Sequence, residues 1–189
     1  MPAAPVVNSI VPDWAMPPAP PPDPGITLQI PPELAGFALV GRRDFDNPSE
    51  GTQLRYGRAD SLLVDVIVSG GPDFNRCDLA CSTKAFDTEY TKLRLGYTDL
   101  VNTGVARAVQ LGADEPLSPP PGAKWRLGRR LGATLTLDLG SERSEFYLFY
   151  LPGVSVKVRA TYAERTDRSA AVTAFAERIV AGLTGSAKP

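Results

Sequence analysis

The chain has 189 residues, 43 % of them hydrophobic, and a formal net charge of −1. This length suits one domain with a real core, and the near-zero charge argues against a nucleic-acid-binding surface, which needs an excess of Lys and Arg. The sequence contains no histidine, which excludes Ser-His-Asp and Cys-His nucleophile systems and removes the commonest transition-metal ligand. We therefore expect a non-catalytic protein with no metal site and no cofactor.

The N-terminal segment, residues 1–25, predicts an extended proline-rich arm. Residues 1–32 contain eleven of the nineteen prolines, and proline fixes φ and removes an amide donor. A spacer is the simpler interpretation of such an arm. The alternative is a ligand for a partner protein, with Trp14 as an apolar anchor beside the prolines. Residues 26–185 predict a single globular domain.

The first half of that domain predicts four strands and a helix. The strands fall at "ITLQI", "GFALVGRRDF", "TQLRYGRA" and "LLVDVIVSG". In the last of these, alternate residues form a wholly apolar face that must be core, namely Leu62, Val64, Val66 and Val68. A helical period then runs through residues 83–104. Its apolar stripe consists of Phe86, Tyr90, Leu93, Tyr97, Leu100 and Val101.

The second half returns to strands and ends in a helix. "GVARAVQLG" is followed by a predicted loop, "DEPLSPPPG", and then by the runs "KWRLGRRL", "ATLTLDLG", "EFYLFYLPG" and "VSVKVRATYA". "EFYLFYL" is apolar on both faces, which predicts a central strand covered on both sides. In the last helix Asp167 suits the N-cap, and the apolar stripe is Val172, Phe175, Ile179 and Leu183.

The order of strands, helix, strands and helix predicts an α+β fold. We expect an antiparallel sheet of about six to seven strands with two main helices packed on it, an α/β/α sandwich. The chain contains no apolar run of the roughly 20 residues that span a bilayer, so no transmembrane helix is expected.

This arrangement is similar to the PsbP-like α/β/α sandwich. The resemblance lies in the hairpin "LRYGRADSLLVDVIVS", the middle helix, the strand meander and the final unit "VSVKVRATYAERTDRSAAVTAFAERIVAGL". The group includes the extrinsic photosystem II subunit and bacterial exported proteins. Over residues 26–184 the resemblance implies a non-catalytic binding or assembly domain, often exported, and it supplies no catalytic residues.

The chain has two cysteines, Cys77 and Cys81, in the motif "CDLAC". Residues four apart in a helix have Cβ atoms about 5–6 Å apart, whereas a disulfide needs about 3.5–4.5 Å. A bridge between the two therefore requires a non-helical loop, which the preceding "GGPDFN" favours. We expect a structural disulfide, with two buried thiols or a metal or redox site as alternatives. A disulfide argues for a periplasmic or secreted protein; a cytoplasmic location is the alternative.

The densest basic run is "KWRLGRR". We predict that Lys124, Arg126, Arg129 and Arg130, together with Trp14, contribute to partner binding. In that hypothesis the basic run is a docking patch for an acidic partner or a phosphate group. The other interpretation is a charged solvent-facing strand over a buried Trp125.

Binding or assembly is the function we expect, as an exported domain that holds a protein partner of unknown identity and acts, for example, as an accessory subunit of an envelope complex. Attachment to a membrane would then come through that complex or through a lost anchor. No nucleic acid is expected among its partners.

Two other functions are carried as alternatives. The first is a histidine-free enzyme that uses carboxylates, for which the local pairs are Asp44 with Asp46 and Asp114 with Glu115, both in predicted turns. The second is a carrier of a small apolar ligand in a cleft between sheet and helix. The residues predicted to line that cleft are Tyr90, Tyr97, Phe146 and Tyr150.

Overall fold

The computed structural model describes residues 30–46, 50–70 and 79–183. The predicted arm and most of the predicted strand "ITLQI" lie outside these residues. Within these described residues, eight strands and two helices follow one another: β1 (Glu33–Leu34), β2 (Phe37–Asp44), β3 (Thr52–Gly57), β4 (Leu63–Gly70), α1 (Leu79–Asn102), β5 (Ala108–Leu117), β6 (Leu127–Leu137), β7 (Gly140–Leu151), β8 (Val154–Ala163) and α2 (Ser169–Gly182).

The strands form one antiparallel sheet in the order β1-β2-β3-β4-β8-β7-β6-β5. The predicted α+β class, with two helices on an antiparallel sheet, is confirmed. The expected count of six to seven strands is wrong, because the sheet has eight. The two-residue strand β1 contributes to the difference, since it is too short to have a period of its own and forms through a tight turn at Ala35 and Gly36, both with positive φ.

Two strand boundaries also differ from the prediction. The runs "KWRLGRRL" and "ATLTLDLG" form one strand, β6, because Gly132 is paired within the ladder opposite Glu145 and makes no turn. β5 extends to Leu117, through part of the predicted loop. Its proline, Pro116, is tolerated there because β5 is an edge strand, where an absent amide donor removes no ladder bond.

The two helices cover opposite faces of the sheet. We call the face under α1 the front face and the face under α2 the back face. On the front, α1 packs on β6 and β7 through a core cluster that includes Tyr90, Tyr97 and Phe146. On the back, Phe175 and Ile179 of α2 pack in the larger cluster, which draws on β2, β3, β4, β7 and β8.

The predicted apolar faces of β4 and α2 are confirmed, whereas the predicted stripe of α1 is wrong at Val101, which is 39 % exposed. Leu62, Val64, Val66 and Val68 are each 3 % exposed or less, and so are all four stripe residues of α2. Strand β7 is buried on both faces from Glu145 to Leu151. α1 begins four residues before the predicted start. The predicted N-cap of α2, Asp167, is wrong by one residue, because Arg168 occupies the N-cap and makes no side-chain capping hydrogen bond. Asp167 precedes it, and its carboxylate accepts a hydrogen bond from the Ser169 amide at 3.1 Å.

Each helix covers only part of the sheet face on which it packs. α1 lies over β5, β6 and β7, so the front surfaces of β2, β3 and β4, with the adjoining part of β8, form what we call the front uncovered half. On the back, β5 and β6 lie beyond α2 and form the back uncovered half. This diagonal arrangement leaves two sheet surfaces facing outward, and their side chains decide which is a candidate site.

Candidate functional site

Strand register places the side chains of the front uncovered half in two rows. Directly opposite residues in an antiparallel pair point to the same face. The first row runs across the sheet through Gly41, Arg55, Asp65 and Arg159. The second row runs through Arg43, Gln53, Ile67 and Lys157 in the same way. Charged groups from four strands therefore converge on one surface.

An ion pair lies in the middle of this surface. The Arg55 guanidinium donates to both carboxylate oxygens of Asp65, at 2.7 and 3.0 Å. This two-point geometry fixes both side chains, and the hydrogen bond to Asp65 raises the pKa of Arg55. Arg159, opposite Asp65 on the next strand, lies with its guanidinium 6.0 Å from the centre of the Tyr97 ring at the edge of α1.

An exposed apolar pair lies beside the charged rows. The register between β2 and β3 shifts at Val40, an extra residue that forms a bulge. Val40 is 60 % exposed and Leu63 is 37 % exposed. A Cβ atom at Gly57 would meet a Val40 methyl at 3.3 Å and a Leu63 methyl at 3.4 Å, so both side chains lie over that glycine. The surface therefore combines apolar and cationic groups.

A buried polar cluster marks the border between this surface and α1. The Lys157 ammonium lies 2.5 Å from a Glu89 carboxylate oxygen, and its side chain is only 3 % exposed. Tyr150 donates a hydrogen bond to the same carboxylate, and Ser155 lies within 3.4 Å of it. Burial, followed by the charge of Glu89, raises the pKa of Tyr150, so its phenol stays protonated. The members of this cluster satisfy one another.

A second buried carboxylate lies on the back face. Glu145 is fully buried and accepts hydrogen bonds from Arg130 at 3.1 Å and from Tyr147 at 3.0 Å, and another from Tyr162. Burial works against its charge, but the hydrogen bonds from Tyr162 and Ser169 and the charge of Arg130 hold the pKa of Glu145 below its usual value. It is therefore ionised at neutral pH, and it cannot serve as a general acid there.

The two uncovered halves differ in charge. In its two rows and at its border the front uncovered half has four cationic side chains against two carboxylates, Asp65 and Glu89. The back uncovered half and its border are balanced, because Arg130 and Arg143 lie there with Glu115 and Glu145. A positive surface on a chain of net charge −1 makes the front uncovered half the candidate functional site.

The basic residues predicted for partner binding do not form one patch. Lys124 and Arg126 are exposed in the segment before β6. Arg129 points to the front, where it pairs with Asp87 at 3.1 Å and lies 5.1 Å from the centre of the Tyr90 ring. Arg130 points to the back and pairs with Glu115 and Glu145. Trp14 lies outside the described residues, so its predicted role stays a prediction.

The predicted carboxylate pairs do not form a joint site. Asp114 and Glu115 lie in strand β5 and not in a turn, so their side chains point to opposite faces. Asp114 lies 3.5 Å from Arg94 on the front, and Glu115 pairs with Arg130 on the back. Asp44 is held by Arg42 and by the Thr52 hydroxyl, at 3.0 and 2.7 Å, and Asp46 is exposed beside it.

The aromatic residues proposed to line a ligand cleft fill the layer between α1 and the sheet instead. Each of the four is 5 % exposed or less. Tyr150 packs edge-on against Phe86 with ring centres 5.0 Å apart, and the Tyr97 hydroxyl lies 2.9 Å from the Ser144 hydroxyl. An open depression of about 1060 Å³ lies elsewhere, on the solvent side of α1, lined by Ala80, Thr83, Lys84, Asp87, Thr88, Thr91 and Lys92.

Cys81 lies in the first turn of α1 and is not a free thiol. Its predicted partner, Cys77, lies outside the described residues, so the disulfide between the two stays a prediction. Within residues 30–46, 50–70 and 79–183, no three Cys, Asp or Glu side chains form a group that could hold a metal ion.

Neither of the two described helices combines the length and the apolar character needed to cross a bilayer.

The sequence analysis did not identify three charged residues that form part of the candidate site or its border, namely Glu89, Lys157 and Arg159. Lys157 and Arg159 alternate with valines in β8 and had the pattern of a solvent-facing row. Glu89 flanks the apolar stripe of α1 without being part of it. The pattern holds no signal that these residues meet, because their contact depends on how α1 and β8 are arranged in the fold.

Comparisons with known proteins add a likeness of fold. No protein-family model matches the chain, and no curated protein matches its sequence. Among solved structures it is similar to the solution structure of cyanobacterial PsbP from Synechocystis sp. PCC 6803, with 15 % sequence identity and a TM-score of 0.48. The match covers 76 % of this chain and 85 % of that one. The PsbP-like resemblance predicted from the element order is thus found as a weak likeness of fold.

Proposed function

We propose that the chain is a non-catalytic binding domain that holds a protein partner in an assembly outside the cytoplasm. The observation that carries the proposal is the front uncovered half, an outward-facing sheet surface with a surplus of cationic side chains beside the exposed pair Val40 and Leu63. Surfaces that mix apolar contact with arginine are typical of protein–protein interfaces.

The state of the ionisable groups is also what a binding domain would have. A general acid or base needs a pKa tuned towards the working pH and a place where a substrate can reach it. Glu145 is instead held ionised by its donors, and Asp114 and Glu115 point to opposite faces of the sheet. These carboxylates stabilise the fold through their partners, and none of them meets both conditions.

One arrangement favours a second candidate function. Lys157, Glu89 and Tyr150 meet at the border of an open surface, and these residue types serve histidine-free enzymes as base, acid or nucleophile. We regard the cluster as structural because each member is occupied by another. It remains the place where an enzyme activity would be sought first.

The proposed function is tested by the size of the native complex. With the chain expressed at its natural level in its own host, native gel electrophoresis should find it in a complex clearly larger than the 20.2 kDa chain, together with a reproducible partner protein. Migration as a monomer in every cell fraction would contradict the proposal. The same fractionation tests export, since the chain should be recovered outside the cytoplasm.

A double variant separates binding from catalysis. Glu89→Gln with Lys157→Met removes both charges at nearly constant volume, and replacing a buried pair together is often neutral for stability. We expect this variant to keep the complex and to complement a host strain that lacks the chain. If the complex forms and complementation is lost at an unchanged melting temperature, the cluster acts chemically and the enzyme is the better description.

A further inference from the structure

We propose that the front uncovered half docks an acidic amphipathic helix of the partner protein, an inference that rests on the proposed function. Its first support is charge. Arg55 and Lys157 are engaged by Asp65 and Glu89. Among the described residues no ion pair engages Arg43 or Arg159, and each lies near an aromatic ring, of Phe45 and Tyr97 respectively. Two guanidinium groups therefore remain available to carboxylates of a partner.

The position of these two arginines sets the geometry of the contact. Arg43 lies in the second row on β2, and Arg159 lies in the first row on β8. Three strand spacings, about 14–15 Å, separate those strands. A helix with its side chains is about 10–12 Å across. The open width beside α1 is thus sufficient for one more helix, with a guanidinium at each flank.

The apolar residues supply the other half of the recognition. Val40 and Leu63 lie together over Gly57 at one end of the surface, and Ile67 is half-buried in the second row. Burying an exposed aliphatic side chain contributes to binding in proportion to the apolar area removed from water, and the arginines add orientation. An amphipathic helix with leucines on one face and glutamates at its flanks matches this distribution.

An acidic protein segment fits this surface better than a lipid headgroup layer does. Anionic membranes attract clusters of like cationic charge next to the bilayer. Here Asp65 lies between Arg55 and Arg159 in the first row, and Glu89 lies at the border. Such carboxylates would meet an anionic membrane at a cost, whereas a helix can place its own carboxylates opposite the two arginines and avoid the acids.

The direct test is an NMR titration of the full chain with an 18-residue helical peptide of Leu, Ala and Glu. The same peptide with Lys in place of Glu serves as the charge control. Amide shifts should be confined to the front uncovered half, and the Lys peptide should bind at least 10-fold more weakly. Shifts spread over other surfaces, equal binding of the two peptides, or no shift at all would overturn the inference.

Charge reversal adds matched variants to the titration. The double variant Arg43→Glu with Arg159→Glu should bind the Glu peptide at least 10-fold more weakly than the parent does. Arg107→Glu with Arg178→Glu makes the same change in net charge at exposed positions away from this surface and should leave binding within about twofold. Because Arg159 contacts the Tyr97 ring, Arg43→Glu is also tested alone, and it should weaken binding several-fold with an unchanged melting temperature. Equal effects of the two double variants would overturn the inference.

Photo-crosslinking in the native complex separates failure of this inference from failure of the proposed function. A benzophenone amino acid in place of Leu63 should capture the partner, and one in place of Leu139, fully exposed at the turn after β6, should not. If the complex forms but crosslinks only from position 139, the proposed function is supported and this docking surface is contradicted. Vesicles with 30 % phosphatidylglycerol test a lipid surface as the partner. If they bind the chain more tightly than the Glu peptide does, the inference of a helix is wrong and a membrane is the better description.

Discussion

Glu145 shows how a single buried residue holds several elements together. Its carboxylate on β7 accepts hydrogen bonds from Arg130 on β6 and Tyr162 on β8. Arg130 in turn donates to Ser169 at the start of α2, at 2.6 Å. A buried charge is expensive unless it is paired and hydrogen-bonded. The full set of donors is therefore what permits a carboxylate in the middle of the sheet.

We expect Glu145→Gln to lower the free energy of unfolding by about 1.5–3 kcal/mol, the usual worth of hydrogen bonds to a charged group. The amide keeps the size of the side chain but offers one acceptor in place of two. Denaturation with urea at pH 7 measures the change. Glu115→Gln is the control, because Glu115 pairs with the same Arg130 yet is 52 % exposed, and its effect should stay within about 0.5–1 kcal/mol.

The lowered pKa of Glu145 also predicts how the stability difference between the parent and Glu145→Gln depends on pH. The folded protein holds that pKa below the value of 4.5 for an unperturbed Glu. The stabilisation from the ionised carboxylate is thus complete above about pH 4.5 and is lost as the pH falls through the lowered pKa. The stability difference between the parent and Glu145→Gln should shrink below pH 4.5. A difference that grows on acidification would contradict the assignment.

At the scale of elements, glycines in the sheet have different roles that the sequence does not distinguish. Gly132 leaves room for the Arg143 guanidinium, which lies 3.2 Å from where its Cβ would be. Gly128 leaves room for aromatic packing, since a Cβ there would approach Trp125 at 2.8 Å and Phe149 at 3.2 Å. The pattern "LGRRLGA" resembled two strands with a turn, yet it forms one strand with two close approaches.

A pair of glycine substitutions tests this reading of β6. Gly128→Ala should cost about 1–3 kcal/mol, because the core around Trp125 has to shift to admit the methyl group. Gly182→Ala lies at the end of α2 with no atom within 4 Å of the new Cβ, and it should be neutral or stabilise by up to about 1 kcal/mol. The melting temperature should thus fall for Gly128→Ala and stay constant or rise for Gly182→Ala, by about 2–4 °C per kcal/mol. A Gly128→Ala protein with the melting temperature of the parent would contradict the close packing of Trp125 and Phe149 against this strand.

At the level of the whole molecule, deletions can separate the contribution of the predicted proline-rich arm from that of the described fold. The described fold begins with Ile30, which packs against the back cluster, and with Pro31, whose carbonyl accepts a hydrogen bond from Tyr56 at 2.9 Å. A cut before these anchors leaves every described contact in place. The arm then matters for stability only if it binds the domain, and for function only if it binds a partner.

We expect deletion of residues 1–24 to leave the melting temperature within about 2 °C of the parent and the native complex intact, as a spacer would. Deletion of residues 1–32 removes the Ile30 and Pro31 anchors as well and should lower the melting temperature by several degrees. Loss of the complex on the shorter deletion would support the alternative interpretation, in which Trp14 and the prolines bind the partner.

The class of fold and the buried face of most elements could be predicted from the sequence. Alternation in β4 and the 3.6-residue period of α2 are local properties, since each side chain's direction follows from its own backbone. For the same reason the core positions Val64, Val66, Phe175 and Ile179 followed from pattern alone. The absence of histidine likewise limits the available chemistry whatever the fold.

The surfaces that stay open and the charges that meet depend on how the elements pack together, so they could not be predicted from the sequence. The pairing of β4 with β8 brings Asp65 opposite Arg159, and the position of α1 buries Lys157 against Glu89. Such contacts join residues that are distant in the chain, and a period in one segment holds no information about its neighbour in space. The diagonal placement of the two helices, which leaves the front uncovered half exposed, is a property of the packed sheet and of no single element.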